Sequence, residues 1–265
     1  MIIAFDIDMT LLDHKDYEIP NSAMLAIRKL KQAGHKIVLA SGRNLHNYYS
    51  RDIVDSILPH ALVELNGARV VVGKEVISDI IMDKALVKRI LTYSEEHGEA
   101  VGMTDGDDDY YTNQDYIYER EMLNWGECGR RFKDYHLLEK MDVHTLVYYG
   151  DPAGAKRLGE HFPMLSVLLF SGKGGADIVP NGITKAEGLK ELCHYYGMSM
   201  KDVVAFGDGS NDVEMLKEVG MGVAMGNAVE ELKVVADMVT DPIGEDGVWK
   251  ACKKLNFSLF LDWKE

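Results

Sequence analysis

Two aspartates separated by one residue follow a short apolar run at the beginning of the chain. The run is residues 1–5 (Met-Ile-Ile-Ala-Phe), and Asp6 and Asp8 come directly after it. In an extended backbone, residues two positions apart lie on the same side, so the two carboxylates would be close and would repel one another. A shared divalent cation that prefers oxygen ligands, such as Mg²⁺, removes that repulsion. Paired carboxylates at such a site can supply a nucleophile and a general acid or base.

Three further polar clusters follow a predicted strand or open a predicted helix. Ser41 and Gly42 come after the apolar run 36–40 and offer a hydroxyl and a backbone N–H to an oxyanion. Lys185 lies near the start of a predicted helix, where a cation can meet a phosphate. The fourth cluster is the glycine-flanked acidic segment 207–212, Gly-Asp-Gly-Ser-Asn-Asp. Together, the clusters supply the nucleophile, metal ligands and phosphate-binding groups that phosphoryl transfer requires.

The segments around these clusters alternate between strand and helix. Apolar runs predict strands at 1–5, 36–40, 62–65, 68–72, 75–78, 202–206 and 221–225. Helical spacing of apolar residues and turn signals predict helices at 21–31, 44–58, 184–196, 211–219 and 229–235. Asn66-Gly67 predicts a turn. The alternation is typical of βαβ units, so we predict an α/β protein with a Rossmann-like parallel sheet and its site at the carboxyl ends of the strands.

The middle of the chain has a different pattern. A predicted helix at 84–97 is followed by an acidic, tyrosine-rich stretch at 105–118, and strand-like runs follow at 143–149 and 166–170. This order of elements does not continue the βαβ alternation. We therefore predict an α+β unit at 80–179, inserted into a core formed by 1–79 and 180–265.

Composition restricts the possible partners. The 265 residues include 43 Asp and Glu against 29 Lys and Arg, a formal charge of −14. This charge disfavours nucleic acid and anionic membranes but permits a small phosphorylated metabolite. The three cysteines, Cys128, Cys193 and Cys252, lack metal-ligand spacing and are typical of reduced thiols. The apolar run before Asp6 is too short for a signal peptide and no run reaches membrane-spanning length, so we expect a cytoplasmic location. Nothing in the sequence indicates an oligomeric state.

The four clusters, in this order, resemble the motifs of the haloacid dehalogenase (HAD) superfamily of phosphohydrolases, specifically its Cof-type branch. The matching residues are Asp6-x-Asp8-x-Thr10, Ser41, Lys185 and Gly207-Asp208-x-x-Asn211-Asp212. The segments 222–228 and 246–248 also resemble that branch, and the resemblance covers essentially the whole chain. One residue departs from the pattern, because Met9 stands where hydrolases of the family usually carry glycine.

The resemblance implies a role for each matching residue. Asp6 would be the nucleophile that forms an aspartyl-phosphate, and Asp8 would protonate the leaving alcohol and then activate water. Mg²⁺ would be held by the Asp6 carboxylate, the Asp8 backbone carbonyl and Asp208. The phosphate oxygens would be bound by Ser41, Lys185, Asn211 and the backbone N–H groups of Ile7 and Gly42. Asp212 would orient Lys185 or a metal-bound water.

The resulting hypothesis is a Mg²⁺-dependent phosphatase acting on small phosphate esters, by resemblance sugar phosphates, pyridoxal phosphate or nucleotides. The inserted unit would be a cap that excludes bulk water and contacts the leaving group. A phosphomutase on the same fold is the alternative. A catalytically silent phosphate-binding protein is a second alternative, and Met9 is the only residue that favours it. A receiver domain is disfavoured because it is about half this size. Arg43, beside Ser41, is either a substrate contact or a surface charge.

Overall fold

The chain folds into two units, each with its own sheet. The computed structural model describes residues 1–170 and 174–255. The first unit consists of 1–43, 52–78 and 184–255, and the second consists of 44–51 and the described part of 79–183. The functional roles that the sequence assigns to a core at 1–79 and 180–265 and to a cap at 80–179 stay a prediction.

Strands and helices are numbered in chain order through both units. The described strands are β1 (Ile2–Phe5), β2 (Lys36–Ala40), β3 (Ala61–Glu64), β4 (Arg69–Val72), β5 (Glu75–Asp79), β6 (Ala100–Asp105), β7 (Asp108–Tyr111), β8 (Phe132–Lys133), β9 (Leu146–Tyr149), β10 (Leu165–Leu169), β11 (Ala176–Pro180), β12 (Val203–Gly207), β13 (Met221–Ala224) and β14 (Met238–Val239). The described α-helices are α1 (Asn21–Gln32), α2 (Arg51–Ile57), α3 (Lys84–Glu96), α4 (Gln114–Trp125), α5 (Pro152–His161), α6 (Lys185–Tyr196), α7 (Val213–Glu218), α8 (Glu230–Val235) and α9 (Gly247–Leu255). Single 3₁₀ turns lie at Leu65–Gly67, Tyr135–Glu139, Met200–Asp202, Ser210–Asp212 and Ile243–Glu245.

The sheet of the first unit brings the strand ends of the predicted site together. Its described strands are in the order β14-β13-β12-β1-β2-β3-β4-β5, parallel from β14 through β3. Phe5 of β1 is level with Leu39 of β2 and with Phe206 of β12. Because the three strands are parallel, the residues that follow them lie at one edge of the sheet. The α/β prediction is confirmed.

Both faces of the central strands are covered. All four residues of β1 are buried with no exposed surface, which explains why this strand is continuously apolar instead of alternating. The pairing with β12 continues beyond β1, because the Asp6 N–H donates to the Phe206 carbonyl at 2.9 Å. The residue that follows, Asp6, is therefore held in one place by a rigid strand.

One predicted helix is wrong in extent. The sequence indicated a helix over 44–58, but only Arg51–Ile57 is helical. The Asn44 side chain accepts a hydrogen bond from the His46 backbone N–H at 3.0 Å, and the Ser50 N–H donates to the Asn47 carbonyl at 3.1 Å. Such local bonds compete with a helix, which explains the turns at 44–50.

The second unit is an α+β structure of its own. Its described strands are in the order β10-β11-β9-β6-β7-β8, with antiparallel pairing except between β7 and β8. A cluster of buried side chains from α3, α5 and the sheet forms its core, including Ile90, Val101, Leu146, Leu158 and Ile178. Within the residues that the structure describes, no helix is long and apolar enough to span a membrane.

Candidate active site

A buried lysine joins two of the acids in the first unit. Lys185, the first residue of α6, has no exposed surface, and its Nζ donates to Asp6 Oδ1 and to Asp212 Oδ1, each at 2.6 Å. Thr184 caps α6, because its side chain accepts a hydrogen bond from the Glu187 N–H. Burial acts to lower the pKa of Lys185, but the charges of Asp212 and Asp6 outweigh it and raise that pKa above its usual value. Lys185 is therefore a permanent positive charge beside the carboxylate that follows β1.

Three buried carboxylates surround this lysine. Oxygen atoms of Asp6, Asp208 and Asp212 lie within 4.8 Å of one another. The pKa of Asp6 is raised to about 7, mainly by burial and also by the charges of Asp212 and Asp8, against the opposing effect of Lys185. Burial also raises the pKa of Asp208 to about 9, with a further contribution from Asp6 and Asp212. Burial is the main cause of both shifts, and the neighbouring carboxylates add to it.

The donor set of this cluster fits Mg²⁺. Three carboxylates against one ammonium leave an excess of two negative charges, which one divalent cation would balance. Carboxylate oxygens are the ligands that Mg²⁺ prefers. Both oxygens of Asp212 already accept hydrogen bonds, Oδ1 from Lys185 and Oδ2 from the backbone N–H groups of Asp208 and Gly209 at 3.0 Å. This arrangement suits Asp212 as a residue that orients Lys185 and the acidic turn, and leaves Asp6 and Asp208 to bind the ion.

The Asp8 side chain belongs to a different group of charges. Arg43 Nε donates to Asp8 Oδ2 at 2.7 Å and Arg43 Nη2 to Oδ1 at 2.6 Å, and His14 Nε2 lies 2.7 Å from Oδ1. Burial acts to raise the pKa of Asp8, but Arg43 and His14 outweigh it and hold that pKa well below its usual value. Asp8 is therefore a carboxylate in this arrangement. Arg43 therefore binds a residue of the predicted site, and a contact with substrate stays a prediction.

The turn that follows the two aspartates contains the residue that departs from the family pattern. Met9 has a φ of +58°, in the left-handed region where glycine is favoured. Its carbonyl accepts a hydrogen bond from Asn227 Nδ2 at 2.9 Å, and its N–H donates to the Leu12 carbonyl. Thr10, next along the turn, is buried and donates from Oγ1 to Asp208 Oδ1 at 3.0 Å. Met9 therefore adopts the backbone conformation for which glycine is suited.

The predicted phosphate-binding residues lie near the same edge of the sheet. Ser41 is buried, follows β2 directly, and its Oγ accepts a hydrogen bond from the Arg43 N–H at 3.2 Å. Gly42 follows Ser41, and Ile7 follows Asp6. Asn211 lies in the turn after β12, and its Nδ2 donates to Asn66 Oδ1 at 2.9 Å.

Similarity to known proteins identifies the family of this chain. The model of one family, the haloacid dehalogenase-like hydrolases, matches residues 3–252. The chain belongs to this family. It is 32% identical over 254 residues to the Bacillus subtilis (strain 168) protein named "Putative phosphatase YkrA", a match that covers 96% of this chain and 97% of that protein. It is 27% identical to the 5-amino-6-(5-phospho-D-ribitylamino)uracil phosphatase YitU of the same organism, over 97% of this chain and 98% of YitU.

Solved structures give the same result. The HAD subclass IIB sugar phosphatase BT4131 superposes with a TM-score of 0.87 and 27% identity, covering 97% of this chain and 99% of that one. The predicted family and fold are confirmed. With the phosphatase relatives, the family match supports the predicted enzyme class, so this HAD-like hydrolase is a phosphatase.

The sequence analysis did not identify several residues of the candidate site. It gave no role to His14, which contacts Asp8, or to Asn227, which holds the Met9 carbonyl. Asn66 was recognised only as part of a turn, although its side chain bonds to Asn211. The Asn66-Gly67 dipeptide predicts a turn, but no local sequence pattern indicates that the Asn66 side chain bonds to Asn211, 145 residues away.

Proposed function

We propose that this phosphatase hydrolyses small phosphate monoesters with Mg²⁺ and forms an aspartyl-phosphate on Asp6. One observation carries the proposal. Asp6 is a buried acid fixed by a hydrogen bond from Lys185, in a cluster of three acids that one divalent cation would balance when all three are ionised. A carboxylate held rigidly at a strand end is suited to in-line attack on phosphorus, where orientation contributes much of the rate.

The phosphoryl group would be bound mainly by hydrogen-bond donors and one cation. We assign the phosphate oxygens to Lys185, Ser41, Asn211 and the backbone N–H groups of Ile7 and Gly42. When bound by Asp6, Asp208 and the Asp8 backbone carbonyl, Mg²⁺ would neutralise charge on the phosphoryl oxygens. Lys185 adds to this effect from a position without solvent exposure, where its charge acts most strongly.

Asp8 is the proposed proton carrier. In the first step, which requires the protonated form of Asp8, Asp6 attacks phosphorus, the bond to the leaving oxygen breaks, and Asp8 gives its proton to that oxygen. In the second step, the Asp8 carboxylate takes a proton from water, which attacks phosphorus and releases phosphate from Asp6. The hydrogen bonds from Arg43 and His14 favour the carboxylate form of Asp8, which is the form that the second step requires.

The relatives support a substrate class. BT4131 is named as a sugar phosphatase, and YitU is named for a substrate with a phosphorylated ribityl chain. Both names describe a phosphate monoester on a polyhydroxy carbon chain. We therefore propose sugar phosphates or related phosphate esters before pyridoxal phosphate and nucleotides. No contact in the described residues favours a phosphomutase or a silent phosphate-binding protein.

The test uses purified full-length protein with an aryl phosphate and with a panel of phosphorylated metabolites. Asp6→Asn is expected to abolish phosphate release with Mg²⁺ present, while Asp55→Asn, an exposed residue on α2, keeps wild-type activity. A chelator should remove the wild-type activity, and added Mg²⁺ should restore it. Full activity of Asp6→Asn would refute the nucleophile, and chelator-insensitive turnover would refute the metal.

A further inference from the structure

Three consecutive residues after β3 have a left-handed backbone. The φ angles are +54° at Leu65, +56° at Asn66 and +97° at Gly67. Left-handed conformation is unfavourable for a residue with a side chain, and a run of such residues persists only when its surroundings fix it. The sequence explains part of the run, because Asn and Gly tolerate this region, but Leu65 does not.

The backbone of this turn is bonded to the segment that contains Ser41. The Leu65 N–H donates to the Arg43 carbonyl at 3.1 Å, and the Asn66 N–H donates to the Ser41 carbonyl at 3.0 Å. These two bonds join the left-handed turn to the chain that follows β2. The carbonyl of the proposed phosphate ligand Ser41 is thus held by Asn66.

The same turn lies against the residue that precedes Lys185. A Cβ atom at Gly67 would lie 2.1 Å from the Thr184 carbonyl oxygen, so no residue other than glycine fits there without movement. Gly188, one turn further along α6, also packs against Gly67, because a Cβ atom at Gly188 would lie 3.1 Å from the Gly67 Cα. The turn therefore contacts the start of the helix that carries Lys185.

The Asn66 side chain reaches the remaining proposed phosphate ligand. Asn66 is 1% exposed, and its Oδ1 accepts the hydrogen bond from Asn211 Nδ2 at 2.9 Å. An amide nitrogen carries two hydrogens, so Asn211 can donate one to Asn66 and the other to a phosphate oxygen. The bond to Asn66 would fix the rotation of the Asn211 amide and thereby the direction of the second hydrogen.

We propose that Asn66 is a positioning residue for the phosphate-binding groups, holding the Ser41 carbonyl through its backbone and the Asn211 amide through its side chain. This inference rests on the proposed function, in which Ser41 and Asn211 bind phosphate oxygens. The effect of Asn66 passes through Asn211, and that dependence is measurable.

The test is a double-mutant cycle on the full-length enzyme. Asn66→Gly removes the amide but keeps both the N–H that binds Ser41 and the tolerance of a positive φ. We expect it to lower kcat/KM by about tenfold and to weaken inhibition by inorganic phosphate by a similar factor, because the donor is misdirected. In the Asn211→Ala background, Asn66→Gly should cause no further loss. Asn113→Gly is the matched control, since Asn113 is also left-handed but belongs to the second unit.

The outcomes separate this inference from the proposed function. If Mg²⁺-dependent activity is present in the wild type and lost in Asp6→Asn, the proposed function stands whatever Asn66→Gly does. Wild-type kcat/KM and phosphate inhibition in Asn66→Gly would overturn the positioning role, and so would a loss that adds fully to that of Asn211→Ala. Asn66→Ala also removes the amide but leaves a less flexible backbone than glycine, so the double-mutant cycle with Asn211→Ala is repeated with this variant. If neither variant folds, Asn66 has a purely structural role and the proposal fails.

Discussion

Arg43 holds both carboxylate oxygens of Asp8, through Nε at 2.7 Å and Nη2 at 2.6 Å. A two-pronged contact of this kind fixes the plane of the carboxylate as well as its charge. A group that must both give and take a proton works best with a pKa near the pH of the reaction. Because Arg43 holds the pKa of Asp8 below its usual range, the contact favours the base form, and donation of a proton is favoured when this contact weakens.

Replacement of Arg43 by methionine tests this relationship. Without the guanidinium, the pKa of Asp8 should rise, so the limb of the pH–rate profile that Asp8 controls should move to higher pH. We also expect kcat at neutral pH to fall by roughly tenfold, because Asp8 loses the contact that orients it. The measurement is kcat against pH for the wild type, Arg43→Met and Arg28→Met, which removes an exposed arginine of α1. An identical profile in all three proteins would contradict the assignment.

Replacement of Lys185 by methionine should destabilise the first unit. Lys185 is buried and bonded to two carboxylates, and its removal leaves three buried acids without a cation. Breaking a buried ion pair from one side costs about 3–5 kcal/mol. We expect a decrease of that order in the free energy of unfolding, measured by urea denaturation without metal, together with loss of activity.

Lys190 provides the matched control for this loss. It lies on the same helix, α6, but its contacts to Glu187 and Glu218 are at the surface, where such pairs contribute less than about 1 kcal/mol. Lys190→Met should therefore leave stability and activity almost unchanged. Added Mg²⁺ should recover part of the stability of Lys185→Met, since the ion supplies positive charge to the same acids. Equal destabilisation by both substitutions would show that Lys185 does not neutralise the cluster.

Binding of Mg²⁺ should release protons and strengthen as pH rises. The pKa of Asp6 is raised to about 7 and that of Asp208 to about 9, so both carboxyls hold protons at pH 6 in the metal-free protein. The ion must displace them, and each displaced proton makes the apparent affinity rise by up to about tenfold per pH unit. Calorimetric titrations at pH 6 and pH 8, in buffers of different ionisation enthalpy, measure both quantities. Asp208→Asn should bind more weakly and release fewer protons, and a pH-independent affinity would contradict the prediction.

The fold was largely predictable because its signals are local. The apolar run of β1 and the glycine after α6 mark these elements in the sequence itself, and their bounds agree with the structure within a residue or two. The helix predicted at 44–50 was wrong, because the spacing of apolar residues does not indicate that the Asn44 side chain forms a turn. The partners of Met9 and Asn66 could not be predicted either. Asn227 is 218 residues from Met9, and only the parallel sheet brings such distant segments together.

Met9→Gly tests whether the unusual residue changes the site or only its backbone energy. Glycine removes the backbone strain of a φ of +58°, which stabilises the folded state. It also increases the entropy of the unfolded chain, which opposes that gain, so we expect the free energy of unfolding to increase by only about 0–1 kcal/mol. Because the Met9 carbonyl keeps its bond to Asn227, kcat should stay within about threefold of wild type. Leu58→Gly, at an exposed left-handed position, is the matched control for stability. A large change in kcat or KM with Met9→Gly alone would show that the methionine side chain contributes to the site.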